Sequence, residues 1–352
     1  MRAALLKTEL LLLAFLGCRT DPISPDFPAP EVPSLESVNF AAIGAGKVAF
    51  ERIGPTGYNT IYVIDATAMT SPHFFDNQLE FGAAISPDGQ RIAYATYDNA
   101  TLYDAFASNL DGSGLQHVTR FALQEGPPSW SPDGAKIVVS GGNSNSLVYD
   151  VYSQTATTNP SDQTQLTHFS ATPGVPVSCP VIIDNQSRVA ISSQGALTFA
   201  CLNAEVDVLS STETLVASYK PARTDRTQWP NLFAAQWAPD GTRIAFIETT
   251  SNVDANFLLL SYALKVMNAD GTNVTALATI PIPASANVQT GGGWVGMNNY
   301  SLCWMPDASR LVFNVPETST IGHLWVVKSD GTGLTQLTSS PGVYDRSVSC
   351  SR

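Results

Sequence analysis

The sequence predicts an all-β fold: a six-bladed β-propeller of four-stranded blades, with the ring closed by strands from both ends of the chain. One turn motif recurs along the 352 residues, each copy leads into a short apolar strand, and the first three second-strand segments begin 44 and 45 residues apart. That period is typical of a propeller blade. Hydrophobic residues make up 44% and charged residues 14% of the chain, which suits short buried strands joined by many turns.

The best-preserved copy of the motif is Trp130–Gly134, Trp-Ser-Pro-Asp-Gly, which leads into an apolar strand. Pro sets the first central dihedral angle of a tight turn, Asp hydrogen-bonds to the turn backbone, and Gly accepts a positive φ. The other copies are Ile85–Gly89, Trp237–Gly241 and Trp304–Asp307. We therefore interpret the recurrent Asp residues as turn stabilisers rather than calcium ligands, and the recurrent Trp residues as packing between blades.

Six segments have the pattern of the second strand of a blade. They begin at Lys47, Arg91, Lys136, Arg188, Arg243 and Arg310. In the fourth unit we expect Ile183–Gln186 to replace the Pro-Asp-Gly turn. The first unit lacks a first strand, and the segment 345–350 has the pattern of a first strand without a continuation. We expect these two segments to complete one blade, because a closed ring leaves no free sheet edge.

The beginning of the chain has the pattern of an export signal followed by a tether. The apolar run Leu10–Leu16 is too short to span a membrane, and residues 1–17 are predicted to be a signal peptide. Gly17-Cys18 resembles a bacterial lipobox, so we expect Cys18 to be lipidated; the alternative is an ordinary cleaved signal with an incidental cysteine. Five prolines in residues 22–33 predict that residues 18–35 form an extended tether before a propeller domain at 36–352.

Charge and cysteine content restrict the classes of partner. A net charge of −12 leaves no broad basic surface, so we predict no nucleic-acid partner. The other cysteines are Cys179, Cys201, Cys303 and Cys350. An exported protein can form disulfides, but four cysteines allow three pairings, and buried unpaired cysteines are the alternative.

The whole pattern resembles a known family. Trp-Ser-Pro-Asp-Gly-x-x-Ile-Ala-Phe, an apolar strand, Ala-Asp-Gly-Thr-Asn and then Leu-Thr are similar to the WD-like repeats of the six-bladed TolB-type propellers of bacteria, over about nine-tenths of the chain. The resemblance implies a periplasmic or surface-exposed adaptor. Similar propellers are protein-binding modules, non-catalytic domains of peptidases of the prolyl-oligopeptidase type, or parts of some lyases. The N-terminal α/β domain of TolB has no recognisable counterpart, because the repeats begin soon after the tether.

The motifs of common catalytic sites are missing from the sequence. There is no Gly-x-Ser-x-Gly nucleophile elbow, and none of the four histidines has a partner at a metal-ligand spacing. We interpret His117 and His168 as polar residues on the outer strands of blades. The sequence therefore predicts no catalytic residues, no cofactor and no metal, although spacing leaves open a dispersed metal site in the central channel.

Loop length indicates where a partner binds. The turns between strands one and two and between strands three and four are short, whereas the loops at the opposite end of the strands are long. Those loops carry the candidate partner-binding residues Arg223, Arg226, Trp229, Trp294 and Tyr300. Aromatic and Arg residues are enriched at protein interfaces. The alternative is that insertions are simply tolerated on exposed loops.

These observations lead to one main hypothesis. We expect a monomeric, non-catalytic protein-binding or scaffolding module of the bacterial cell envelope, periplasmic or at the cell surface. Its partner would be a protein or another envelope-associated molecule, and it would contact the membrane through the lipid anchor only. The alternative hypothesis is a carbohydrate-active lyase or hydrolase with its site at the channel mouth. A purely structural surface protein is a third possibility.

Overall fold

The computed structural model describes residues 37–55, 59–70, 80–98, 102–119, 124–142, 150–156, 162–169, 189–201, 205–223, 225–252, 258–282, 286, 288 and 300–351. All of them belong to the second of the two compact units of the chain, Val32–Arg352. The secondary structure of this described part consists of β-strands and a 3₁₀ turn at Phe40–Ala42, without an α-helix.

The strands are, in chain order, β1 (Lys47–Ile53), β2 (Asn59–Ile64), β3 (Met69–Thr70), β4 (Glu80–Ile85), β5 (Arg91–Asp98), β6 (Leu102–Asn109), β7 (Gln116–His117), β8 (Gln124–Glu125), β9 (Ser129–Trp130), β10 (Lys136–Gly142), β11 (Asp150–Thr155), β12 (Thr164–Gln165), β13 (Ala190–Ile191), β14 (Leu197–Cys201), β15 (Glu205–Leu209), β16 (Leu215–Tyr219), β17 (Gln228–Trp237), β18 (Arg243–Asn252), β19 (Leu258–Asn268), β20 (Thr275–Pro281), β21 (Leu302–Trp304), β22 (Arg310–Pro316), β23 (Gly322–Lys328), β24 (Thr335–Gln336) and β25 (Tyr344–Ser351).

These strands form an all-β propeller of four-stranded blades. Three sheets are four-stranded antiparallel meanders: β4 to β7, β13 to β16, and β17 to β20. A fourth sheet contains β10, β11 and β12 with β8 and β9 together in the place of a first strand. The remaining sheet has eight strands, in the order β21-β22-β23-β25-β1-β2-β3, with β24 paired to β23. Because the described strands form five hydrogen-bonded sheets, the count of six blades stays a prediction.

The predicted pairing of the first and last strands is confirmed. β25 lies antiparallel to β1, from Lys47 opposite Ser351 to Ile53 opposite Tyr344. A disulfide between Cys303 of β21 and Cys350 of β25 joins two first strands, with the Cα atoms 5.5 Å apart. The ring is therefore closed by backbone pairing and by a covalent bond.

Antiparallel order gives the sheets two distinct ends. The turns from strand one to two and from strand three to four lie at one end, which we call the short-turn end. The connections from strand two to three and from strand four to the next sheet lie at the other, which we call the long-loop end. Every described sheet contributes connections to both ends.

The motif aspartates stabilise turns, as predicted. Asp133 accepts hydrogen bonds from the Ser131 hydroxyl at 2.5 Å and from the Ala135 N–H at 3.0 Å. The hydrogen bond from Ser131 is the largest cause that lowers the pKa of Asp133. Asp88 accepts the equivalent hydrogen bonds from Ser86 and Gln90. Asp240 and Asp307 accept the N–H and the hydroxyl of the residue two positions after them, Thr242 and Ser309.

The fourth unit differs from the sequence prediction. The segment from Arg188 was expected to contain the second strand, but Ala190–Ile191 is a first strand, and the second is Leu197–Cys201. The turn between them is 192–195, where the Ser192 hydroxyl accepts the N–H groups of Gln194 and Ala196. Ser and Gln thus stand where other units have Pro and Asp, and the expected turn at Ile183–Gln186 lies outside the described residues.

Hydrophobic clusters fill the spaces between successive sheets. The Trp130 indole N–H donates to a carbonyl of β4 at 2.8 Å, and the Arg91 guanidinium lies 5.2 Å from the Trp130 ring centroid. Trp304 makes the same kinds of contact with β17 and with Arg243. A cluster that contains Tyr262 and Phe313 joins the sheet β17 to β20 to strands β21 to β23. The predicted role of these Trp residues in packing between blades is confirmed.

Candidate functional site

The longest strands of the described part belong to the sheet β17 to β20. β17 and β18 have 10 residues each and β19 has 11, whereas β21 has three. Trp229 lies at the long-loop end of β17, opposite Ser251, and four residues before Phe233. At about 3.3 Å per residue, the strand holds Trp229 about 13 Å beyond Phe233. The first strand of this sheet, β17, therefore extends well toward the long-loop end, and Trp229 lies near its tip.

The connection from β16 to β17 is ordered by its own side chains. We call the described residues 220–223 and 225–230 the Arg–Trp loop. Pro221 cannot donate a backbone hydrogen bond, so it favours an end to β16. The Asp225 carboxylate then accepts the N–H and the hydroxyl of Thr227, both at 2.8 Å, and these hydrogen bonds fix a turn that leads into β17.

Arg223 holds this loop in shape. Its Nε donates to the Gln228 carbonyl at 3.1 Å and its Nη2 to the Arg226 carbonyl at 2.6 Å. The guanidinium lies 4.6 Å from the centroid of the Trp229 ring, a cation–π contact. Arg223 covers one face of the indole, and Trp229 remains 37% exposed. The stack presents a preordered aromatic surface with the exposed Arg226 side chain beside it.

The charges next to the loop are largely balanced. Lys220 lies 3.7 Å from the buried Glu205 carboxylate. Farther into the sheet, the Lys265 ammonium lies 2.7 Å from Glu248, and the Tyr219 hydroxyl donates to Glu248 at 3.1 Å. Burial, and then the nearby Glu248 charge, raise the pKa of Tyr219. The exposed arginines of this region are Arg223 and Arg226.

The structure brings together three of the predicted site residues. Arg223, Arg226 and Trp229 lie in the Arg–Trp loop, and each is exposed. Trp294 and the lipidation candidate Cys18 lie outside the described residues.

Tyr300 has a different position from the one predicted. It is 7% exposed, and its ring stacks on Phe233 at 4.4 Å and lies 6.0 Å from Tyr262. Burial raises the pKa of its hydroxyl. The prediction that Tyr300 is displayed for a partner is corrected, because the residue occupies in its unit the place that Phe233 occupies in the preceding one. Each lies four residues before the motif tryptophan.

A buried polar network at the ring closure was not predicted. Arg52 Nε and Nη2 donate to the two carboxylate oxygens of Asp345 at 2.6 and 2.8 Å, and its Nη1 donates to the Ser340 hydroxyl at 3.0 Å. The Thr338 hydroxyl donates to Asp345 at 2.6 Å. Next to this pair, Glu51 accepts a hydrogen bond from Arg346 at 3.1 Å. The pairs Glu51-Arg52 and Asp345-Arg346 could have indicated this network from the sequence. When the two strands pair antiparallel, each acidic residue lies opposite a basic residue.

The described residues contain no group of three or more His, Cys, Asp or Glu side chains that could hold a metal ion. His117 lies on the outer strand β7, stacks on Phe106 and bonds Asp104 at 2.7 Å; its predicted role as an outer-strand polar residue is confirmed. His168 follows β12 and bonds Glu213 of the next sheet. In the same part of the chain, no helix is long and apolar enough to cross a membrane.

Fold and closure define the class: an all-β propeller of four-stranded blades. The chain is similar in fold to TolB from Acinetobacter baumannii, with a TM-score of 0.61 and 16% identity, over 87% of this chain and 66% of that one. It is also similar to the periplasmic gluconolactonase PpgL of Pseudomonas aeruginosa, with a TM-score of 0.51 and 11% identity, over 87% of this chain and 99% of the PpgL chain. The similarity to Kuenenia stuttgartiensis hydrazine synthase has a TM-score of 0.55 and 11% identity. It covers 87% of this chain and 46% of the hydrazine synthase chain.

At these identities the similarity concerns the fold alone. The chain spans just under two thirds of the TolB chain and less than half of the hydrazine synthase chain. No protein-family model and no curated protein matches it.

Proposed function

We propose that this chain is a lipid-anchored, extracytoplasmic six-bladed propeller that binds a protein or another envelope-associated partner. It acts as a monomer, without a catalytic step and without a cofactor. Residues 1–17 are the signal peptide, Cys18 carries the lipid, residues 18–35 form the tether and residues 36–352 form the propeller. The observation that carries the proposal is the Arg223–Trp229 stack, which presents an ordered aromatic side chain at the long-loop end.

A division of the eight-stranded sheet supports the count of six blades. β23 and β25 are joined by a single parallel pair, Gly322 with Tyr344, whereas β22 and β23 share seven pairs. A cut at the single pair gives one blade of β21 to β24 and another of β25, β1, β2 and β3. With the four other sheets this makes six blades, the number of second-strand segments predicted from the sequence.

Two observations support an extracytoplasmic location. The Cys303–Cys350 disulfide is of a type that persists in oxidising compartments. The export signal and the Gly17-Cys18 pair in the sequence agree with it. A related fold is found in this setting, since PpgL is named as periplasmic.

The Arg–Trp loop has the composition of an interface centre. Trp and Arg are the residue types that dominate binding energy at protein interfaces, and preorganised groups lose little entropy on binding. Trp229 offers one free face, and Arg226 offers a charged group for a partner carboxylate. The hydrogen bonds of Arg223 fix both in advance.

The test is partner capture with matched variants. We expect Trp229→Ala and Arg226→Ala each to weaken capture of the partner from envelope extracts by at least about tenfold, the effect of removing a side chain worth more than about 1.4 kcal/mol. Leu334→Ala is the control, because Leu334 is 39% exposed, close to the 37% of Trp229, but lies at the short-turn end. Equal capture by the wild type and both loop variants would reject the loop as the binding site.

The alternative function is a carbohydrate-active enzyme with its site at the channel mouth. Its support is a fold shared with a gluconolactonase. Elemental analysis of protein purified without chelators distinguishes the two proposals, together with assays on lactones and uronate polymers. Stoichiometric metal or turnover of a sugar substrate would favour the enzyme, and neither is expected of a binding module.

A further inference from the structure

We infer that His323 is a pH-sensitive latch at the point where the ring closes. When its imidazole ring is protonated, it joins two connections of the long-loop end. The first is residues 317–321, between β22 and β23, which we call the latch loop. The second is residues 337–343, between β24 and β25, which we call the closing connection. When the ring loses a proton, the latch loop is released. The latch does not depend on the binding role of the Arg–Trp loop.

The backbone joins β23 to β25 at one position. Gly322 pairs with Tyr344, and the Gly322 N–H donates to the Val343 carbonyl at 3.2 Å. The contact is close, since a Cβ on Gly322 would lie 2.9 Å from the Tyr344 ring. By comparison, seven pairs join β22 to β23. Side chains next to Gly322 therefore contribute to the attachment of the closing strand.

His323 follows Gly322 and contacts both connections. Its Nδ1 lies 2.8 Å from a carboxylate oxygen of Glu317, and its Nε2 lies 2.8 Å from the Ser340 carbonyl oxygen. The His323 side chain is 5% exposed, whereas that of Glu317 is 42% exposed. One buried ring thus bridges the latch loop and the closing connection.

Both partners of the ring are hydrogen-bond acceptors. A carbonyl oxygen and an ionised carboxylate offer lone pairs and no proton, while a neutral imidazole has one N–H and one lone pair. Only the imidazolium has an N–H on each nitrogen, so only this form makes both contacts hydrogen bonds. Histidine changes charge between about pH 5 and 8. The number of hydrogen bonds made by His323 therefore changes in this range.

Burial decides which contact the neutral ring keeps. Ser340 is 7% exposed, and its hydroxyl accepts a hydrogen bond from Arg52 at 3.0 Å, which holds the closing connection in place. A buried carbonyl without a donor is costly, whereas an exposed carboxylate can turn into water. The neutral ring therefore keeps its proton on Nε2, bonded to Ser340, and Glu317 leaves with the latch loop.

The other charges near the ring are compensated. The charged and titratable residues on the adjoining strands are Glu51 and Arg52 of β1 and Tyr344, Asp345 and Arg346 of β25. Arg52 bonds Asp345, and Arg346 bonds Glu51. Burial raises the pKa of the Tyr344 hydroxyl, which therefore stays neutral. The neighbours on β22 and β24 are uncharged: Val315 opposite His323, and Gln336, whose amide donates to Glu317 at 3.4 Å.

The direction of the effect follows from these contacts. The tied state favours the protonated ring, so the latch holds at low pH and is lost as the pH rises through the range in which histidine titrates. Release opens one connection and leaves the sheets intact, because local opening does not require global unfolding. Hydrogen exchange of the latch loop is therefore the readout.

Two measurements on the purified wild-type protein test the inference. Nitrogen-15 shifts of the His323 ring should show protons on both nitrogens at pH 5 and on Nε2 alone at pH 8. In the latch loop, the N–H groups of Glu317, Thr318 and Ile321 donate hydrogen bonds. Their protection in millisecond hydrogen exchange, corrected for the intrinsic rate, should fall about tenfold from pH 5 to pH 8, the effect of one charge-assisted hydrogen bond. A neutral ring at pH 5, a proton on Nδ1 at pH 8, or protection that does not change with pH would overturn the latch.

Glu317→Gln separates the proton from the contact. The amide that replaces the carboxylate donates to Nδ1 of the neutral ring while Nε2 still donates to Ser340, so the latch loop should stay protected at pH 8. His168→Gln is the matched control, because His168 also bonds a glutamate, Glu213 at 2.7 Å, but is 55% exposed and follows β12. This control should keep the wild-type response. The same pH dependence in Glu317→Gln as in the wild type, or its loss in His168→Gln, would reject His323 as the latch.

Discussion

At the scale of single residues, Arg52 and Asp345 connect the two strands that close the ring. The guanidinium and carboxylate make two direct hydrogen bonds, and the side chains are 4% and 0% exposed. Removal of one member of such a pair leaves an uncompensated buried charge, which costs more than the pair itself contributes.

We therefore predict that Arg52→Ala lowers the free energy of unfolding by about 3–5 kcal/mol. Asp345→Ala has a similar effect, and the double variant is less destabilised than the sum of the two, as a denaturant double-mutant cycle would show. Lys220→Ala is the control, because Lys220 is 57% exposed in its pair with Glu205 and should lose less than about 1 kcal/mol. Equal losses for Arg52→Ala and Lys220→Ala would contradict a closure that depends on the buried pair.

Single residues of the candidate site were predictable in part. Arg223 and Trp229 stand out because a charged and an aromatic side chain lie in a long connection, and exposure follows from that position. Tyr300 lies at the end of a similar connection, but its ring packs against Phe233 of the neighbouring sheet. The relevant signal was its spacing of four residues to Trp304. The hydrogen bonds of Arg223 to two carbonyls depend on the shape of the loop, which no residue pattern specifies.

At the scale of the turn, backbone strain distinguishes one copy of the motif from the others. Ala308 has a φ of 55° where the equivalent turns have Gly89, Gly134 and Gly241, at φ values of 69° to 71°. A Cβ in this left-handed region costs about 1–2 kcal/mol. The motif therefore keeps its geometry in the last copy at the expense of local strain.

We predict that Ala308→Gly raises the free energy of unfolding by about 0.5–1 kcal/mol, while Gly241→Ala lowers it by about 1 kcal/mol. The two substitutions are a matched pair, since a Cβ on Gly241 has no neighbour within 4 Å and would report the dihedral strain alone. Thermal unfolding of both variants measures the difference. A loss of stability in Ala308→Gly would mean that packing of the Ala308 methyl group stabilises the fold by more than the strained backbone destabilises it.

The turn carboxylates also predict a dependence on pH. Six of them have a pKa below the usual 3.8, with the neighbouring hydroxyl as the largest cause: Asp88, Asp111, Asp133, Asp270, Asp307 and Asp330. Because the pKa is lower in the folded state, these groups stabilise the fold above pH 3.8, and the stabilisation is lost as the pH falls through the lowered values.

The urea concentration at the midpoint of unfolding should therefore change little with pH near pH 6 and should decrease when the pH is below about 4. Asp133→Asn tests the cause, because the amide oxygen still accepts hydrogen bonds but does not titrate. The fall with pH should be smaller in this variant. A variant curve parallel to that of the wild type would assign the acid sensitivity to other carboxylates.

Elements were predictable where turn chemistry is explicit. Pro-Asp-Gly marks the turns after the first strands of three units, and the structure has them there. The fourth unit failed because Ser193 and Gln194 replace Pro and Asp, so the prediction relied on Ile183–Gln186 and shifted the strands. The preserved feature was the Ser192 hydroxyl, which accepts two backbone N–H groups. The Ser86 and Ser131 hydroxyls each accept one such group, from Arg91 and Lys136.

At the scale of the whole molecule, closure of the ring was predictable from incomplete units at the two ends of the repeat pattern. The disulfide pairing was not, because four cysteines allow three pairings and the sequence does not say which first strands are neighbours. The structure resolves this by placing β21 next to β25. The last strand is then held at both ends, by the disulfide at Cys350 and by the ion pair at Asp345.

We predict that the Cys303→Ala/Cys350→Ala variant loses about 4 kcal/mol of unfolding free energy, as expected for a disulfide whose cysteines are 47 residues apart. Urea unfolding of the variant and of the oxidised wild-type protein measures the difference. Because β25 is also held by Arg52, addition of Arg52→Ala should show a coupling of more than about 0.5 kcal/mol rather than simple additivity. Strict additivity would mean that the two ends of β25 detach independently, whereas coupling would show that ring closure is a single cooperative step in which the first and last strands pair.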